Sequence, residues 1–224
     1  LAKNSQHSAN TAVVVIGLGR FGGELARTLT AIGHEVLAID TDPRRVQQYS
    51  KVLAHVAQAD ASDVDALRQL GVHEMTTAIV AIGNGIEASV LVTAALVDLG
   101  IPRVWAKAIS TEHRRILERV GAHHVVQPER EMGERVAHLI AGTMLEYISL
   151  DDVFVLAEVQ APTSLIGRAL GESGLRAKYK VTVVCIKHPG ESFTYAEAVT
   201  VIREHDLLVV AGTSEDVDRF VADN

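Results

Sequence analysis

Gly17-Leu18-Gly19-Arg20-Phe21-Gly22 has the G-x-G-x-x-G spacing, set between a β-branched run and apolar residues that recur at helical spacing. In such a turn the first glycine permits the tight bend, and the second lets a pyrophosphate approach the backbone. The third lets helix and strand pack closely. Free N–H groups at the helix start then face the anion. Eighteen residues after Gly22, Asp40 closes the next predicted strand, where a carboxylate can accept both ribose hydroxyls and disfavours a 2′-phosphate. Thr41 and Arg45, just beyond it, complete this part of the candidate nucleotide site. Arg20 places a cation inside the loop, suited to charge-assisted bonds with phosphate. Three further positions fall at carboxyl ends of predicted strands: Asp60-Ala61, Ile82-Gly83 and Lys107. Asp60 reads equally well as the cap of a helix beginning near Ser62. Lys107, inside Val104-Trp105-Ala106-Lys107-Ala108, is costly unless it meets an anion or water. Glu129 follows Pro128 at a predicted helix start, where an acid interacts well with the helix dipole.

These residues need a scaffold, and the hydrophobic pattern supplies one. Thr11 to Ile16 reads as a strand, and Phe21, Leu25, Leu29 and Ile32 as one face of a helix. The alternation continues to a last strand at about His124 to Gln127. Segments such as Ala78-Ile79-Val80-Ala81-Ile82 are apolar throughout, so both faces must be covered. This predicts an α/β, Rossmann-like, doubly wound parallel sheet. After Pro128 a helix is expected to about Tyr147, with a smaller α+β domain beyond. In that domain Phe154 to Val159, Lys180 to Lys187 and Asp206 to Ala211 read as strands, Ser164 to Leu170 as a short helix, and Ser214 as the cap of a last helix. The expected division is a disordered tail at 1–10, a nucleotide-binding domain at 11–147 and a second domain at 148–224.

Composition narrows the chemistry. The 224 residues carry 21 Lys+Arg against 28 Asp+Glu, a net charge of -7, which argues against non-specific nucleic-acid binding. No apolar run reaches the roughly 18 residues of a membrane span and Leu1 to Asn10 is polar, so a soluble, intracellular protein is expected. Cys185 is the one cysteine, which excludes an intramolecular disulfide and a multi-cysteine metal site. His123 and His124 are adjacent in an apparent strand and should point to opposite faces, away from a shared metal. A dehydrogenase would need a catalytic domain for its second substrate. The second domain offers few catalytic groups, so the nucleotide reads as a signal rather than a reagent, and no enzymatic activity is expected.

Taken together, Val15-Ile16-Gly17-Leu18-Gly19-Arg20-Phe21-Gly22-Gly23, Gly33 to Asp40, Ile79 to Gly83, Val120-Gly121-Ala122, Gln127 to Gly133, Leu175 to Tyr179 and Ile186-Lys187 resemble the RCK regulatory subunits of Ktr-type bacterial potassium uptake systems. Ktr subunits carry one such unit and the related Trk subunits usually two, so the length fits the Ktr type. The resemblance implies an N-terminal domain that exchanges ATP and ADP, a crossover helix used in dimerisation, and a C-terminal domain that can bind cyclic di-AMP. It implies homodimers assembled into an octameric ring beneath a membrane potassium channel subunit, at the cytoplasmic face. It also implies that Arg20 reaches the γ-phosphate from across the dimer, and that two copies of Glu129 hold Mg²⁺ or Ca²⁺ between them. Thr194-Tyr195 departs from the Ser-Pro usual there. The alternative reading of the same fold is an NAD-dependent oxidoreductase or an NAD(H) redox sensor.

Overall fold

Strands that are apolar at every position need cover on both faces, and both faces are covered. In the computed structural model, which describes residues 12–140, 144–151 and 153–223, the chain forms two compact units that divide after Glu129. The first contains β1 (Val13–Ile16), α1 (Arg20–Ala31), β2 (Val36–Asp40), α2 (Pro43–Tyr49), β3 (His55–Gln58) and α3 (Val64–Gln69). It continues through β4 (Thr77–Val80), α4 (Ile86–Asp98), β5 (Arg103–Lys107), α5 (Thr111–Val120) and β6 (His124–Val126). All six strands run parallel, in the order β3-β2-β1-β4-β5-β6. Alternate residues of β1 serve different cores. Val14 and Ile16 join Leu67, Leu96 and Leu117, whereas Val13 and Val15 join Leu18, Ala26 and Leu53. The order reverses between β1 and β4, the position where open α/β sheets leave a crevice at the carboxyl ends of the strands.

α6 (Pro128–Ile140) starts just before the division, and the second unit adds β7 (Glu146–Ser149), β8 (Phe154–Gln160), α7 (Leu175–Tyr179), β9 (Thr182–Lys187), β10 (Thr194–Tyr195), β11 (Leu207–Thr213) and α8 (Ser214–Ala222). Its sheet is antiparallel, in the order β10-β9-β11-β8-β7. Val155, Ala157, Val159, Leu208 and Val210 pack with Val217, Tyr179 and Phe220, whose rings meet edge to face. At the foot of β11 the buried Asp206 accepts the Arg203 N–H at 2.6 Å and pairs with His188 Nδ1 at 2.7 Å, holding the preceding turn.

Three local expectations are corrected. The helix expected to about Tyr147 ends at Ile140 among the described residues, and Glu146–Ser149 is instead an edge strand because β8 offers it a hydrogen-bonding partner. The helix expected at Ser164 to Leu170 is replaced by 3-10 turns at Thr163–Leu165 and Leu170–Glu172. Gly167 lies between them at φ 80°, and the Gly167 and Leu170 amides donate to Ile202 and Thr200 rather than along a helix. The cap of α8 is Thr213, not Ser214: Thr213 Oγ1 accepts the Asp216 N–H at 3.2 Å. The tail at 1–10 and Thr11 lie outside the described residues, as do residues 141–143 of the expected helix. No described helix is long and apolar enough to cross a membrane.

Candidate functional site

The crevice at the strand reversal opens into a cleft of about 600 Å³ within the first unit. It brings together Gly17, Gly19, Arg20, Phe21, Asp40, Thr41, Arg45, Asp60, Ala61, Ile82, Gly83, Lys107 and Glu129. Two residues of the predicted set serve it from behind. Leu18 turns its side chain into the core, and Gly22 is buried on α1 against the turn. Ile16, Ala59, Ala81, Asn84, Ala88, Val92 and Ile109 also line the cleft and escaped the sequence reading. Asn84 had a usable signal, since it follows the end of β4 between two glycines.

The glycines have separable reasons. Gly17 adopts φ 96°, which costs other residues strain, so the turn itself demands it. Gly19 is extended, at φ -69° and ψ -169°, and a β-carbon there would meet no protein atom within 4 Å. Neither backbone nor packing requires a glycine at that position. What a side chain would take up is open space in the cleft. Immediately beyond, α1 begins without a side-chain cap and without an acid in its first turn. An anion would complement such a helix end.

Asp40 is more committed than its sequence position implied. Its buried carboxylate accepts the Leu18 N–H at 2.6 Å and the Asp42 N–H at 2.8 Å, and Arg45 Nη1 lies 3.3 Å away. The residue therefore ties the glycine turn to β2, with acceptor capacity left for hydroxyl donors from the cleft. Asp60 does not cap α3, whose N-cap is Asp63. It forms a local turn in which the Ser62 hydroxyl and amide bond to Oδ1 and hold its carboxyl below the usual range.

Lys107 is buried and meets an anion, Glu129, with Nζ 2.5 Å from Oε1. That bond, followed by the Glu129 N–H and the charges of Lys107 and Arg20, holds the Glu129 carboxyl below its ordinary value despite some desolvation. For a resident cation the fit is poor within one chain. Glu129 Oε1 is already engaged, and no group of three or more His, Cys, Asp or Glu among the described residues could hold a metal ion. β6 begins at His124, so the two histidines do not share a strand: His123, just before it, accepts the Val104 N–H at Nδ1, and His124 stacks on Trp105.

His113 supports the rim of the cleft from below. Its Nδ1 accepts the N–H of Ile109 at 3.3 Å, while Nε2 is buried and finds no hydrogen-bond partner among the described residues. Burial pushes its pKa down from 6.5. The unfolded chain then takes up the proton at higher pH than the folded one. The resulting stability is fully present above about pH 6.5 and is lost as pH falls below it. A melting series from pH 7 to 5 should show a steeper acid loss for the native chain than for His113→Phe. Parallel curves would remove His113 as the cause.

With this geometry in place, the relatives can be named. The TrkA-N domain family matches residues 13–128 and the TrkA-C domain family residues 154–223. Ktr system potassium uptake protein C of Bacillus subtilis is 39% identical over 207 residues, covering 92% of this chain and 94% of the relative. Protein A of the same organism is 38% identical over 212 residues, covering 94% and 96%. Among solved structures, the GsuK RCK domain shares the fold over 96% of this chain at TM-score 0.53 and 23% identity, this chain spanning 47% of its length. GsuK bound to ADP superposes on 59% of this chain at TM-score 0.52 and 25% identity, covering 34% of that chain. Both domain families occur here, and the chain belongs to the RCK family of Ktr-type potassium uptake proteins.

Proposed function

We propose that the chain is the nucleotide-sensing regulatory subunit of a potassium uptake system, binding ATP or ADP in the cleft of its first unit. The observation that carries this reading is one cleft holding the open side of Gly19, the uncapped start of α1 and the Asp40 carboxylate. The helix start and Gly19 suit phosphates, and Asp40 suits a ribose. The ADP held by GsuK, whose fold the first unit shares, supports the same ligand class. In this reading the protein performs no chemistry on the nucleotide. Exchange of ADP for ATP changes the arrangement of a ring of homodimers, up to an octamer, which acts on a membrane channel subunit from its cytoplasmic face. The second unit serves assembly and is the place for a regulatory ligand such as cyclic di-AMP.

Arg20 is exposed on the first turn of α1 and lines the cleft, which supports a role for it as a cation toward the phosphates. A charge-assisted bond to a terminal phosphate gives Arg20→Ala an ATP loss about three- to tenfold larger than its ADP loss. Titration of both nucleotides, with thermal shifts for ATP, ADP, NAD and NADH alongside, tests the reading. Equal losses would remove the γ-phosphate role from Arg20. Stronger stabilisation by NAD or NADH than by ATP and ADP would replace the proposal with the redox-sensor reading.

A further inference from the structure

The Lys107–Glu129 pair is unequal: the lysine side chain is 8% exposed and its partner 65%. A buried ammonium without an anion is costly, whereas an exposed carboxylate returns to water at little cost. If a second anion enters, the partner that leaves is therefore Glu129. The pair also lies at the phosphate end of the cleft. Lys107 Nζ is 5.6 Å from the centre of the Phe21 ring, on the first turn of α1, and lies beside Gly83, where a β-carbon would stand 3.5 Å from it. Lys107, Arg20 and the α1 N-terminus thus gather positive potential around one place, and the anion now paired there is a side chain.

We propose, on the basis of the nucleotide reading above, that Glu129 is a built-in stand-in for the ligand's phosphate: it occupies Lys107 until a phosphoryl group displaces it, and the exchange unpins the head of α6. A phosphoryl group offers more charge and more acceptor oxygens than one carboxylate, so it is the stronger partner for Lys107. Glu129 is the second residue of α6, directly after Pro128. Displacing it removes a tie between the end of β5 and that helix. The signal leaves the cleft along the chain itself.

The full chain is titrated with ADP and with adenosine in EDTA, as the native protein, Glu129→Gln, Lys107→Met and the double variant. Removing the internal competitor raises the fraction of binding-competent Lys107, so Glu129→Gln should bind ADP about three- to tenfold more tightly. Adenosine, which has no phosphate, should bind unchanged. The gain should vanish in the Lys107→Met background, the coupling expected of one shared contact. In the native chain, ADP should speed hydrogen exchange of the amides at 130–135, and in Glu129→Gln they should exchange fast without it. Unchanged or weaker ADP binding by Glu129→Gln in EDTA overturns the exchange and leaves the nucleotide reading standing. If the native chain binds neither ADP nor ATP, the nucleotide reading falls and this proposal with it.

Discussion

Gly22→Ala should destabilise the first unit by about 3 kcal/mol, the upper range for forcing atoms into a packed interior. A β-carbon at Gly22 would fall onto the Gly17 carbonyl oxygen and stand 2.7 Å from Ala81 Cβ. Neither obstacle can yield cheaply. The Gly17 N–H bonds to Ile39 O at 2.8 Å, and the Ala81 N–H bonds to Ile16 O at 2.7 Å, so both are fastened to the sheet. Gly23 is an informative contrast. A β-carbon there meets the hydroxyl end of Tyr49, a side chain that can swing aside, and Gly23→Ala should cost much less. Gly19→Ala should leave stability nearly unchanged and still impair nucleotide binding, because its β-carbon meets only cleft space. Urea unfolding of the three variants, with ATP titration of each, checks the ranking. Equal costs at Gly22 and Gly23 would show that the turn is looser than its hydrogen bonds indicate.

Asp40→Ala carries the second large effect, and it acts on folding and binding together. The Leu18 N–H it would leave behind is buried and without its acceptor, a loss of about 1–3 kcal/mol in stability. The ion pair with the exposed Arg45 adds little to that. Removing the acceptor for a bound ribose should weaken ATP and ADP alike, by about tenfold to a hundredfold for bonds to a charged group. Asp40→Asn keeps one carbonyl oxygen and should recover part of the stability. Thermal melts and nucleotide titrations of the two variants separate the contributions. A stable Asp40→Ala chain with native affinity for both nucleotides would overturn the ribose assignment and the structural one.

What the sequence determined by itself is local in the chain. The glycine turn, the strand before it, the helix after it and Asp40 belong to one β-α-β stretch, so spacing and periodicity alone could bring them together. The parallel sheet was legible too, because apolar strands such as β4 need cover on both faces. The need of Lys107 for an anion followed from solvation cost alone. The identity of that anion was a tertiary matter: Glu129 lies 22 residues away, beyond α5 and β6, and its residues marked it as an acid at a helix start, the cation role coming only with the family resemblance. Asp40 as the acceptor for Leu18 was hidden for the same reason, since a backbone amide leaves no mark in a residue string. So were the apolar walls of the cleft, Ala59, Ala81 and Ile109, whose residue types are common in any core. In the second unit, residues 146–149 became a strand because β8 supplied a ladder, and 164–170 gave up a helix because their amides found acceptors near residue 200. Hydrogen-bond partners distant in sequence decide such segments, because the backbone groups must be satisfied by whatever the fold places beside them.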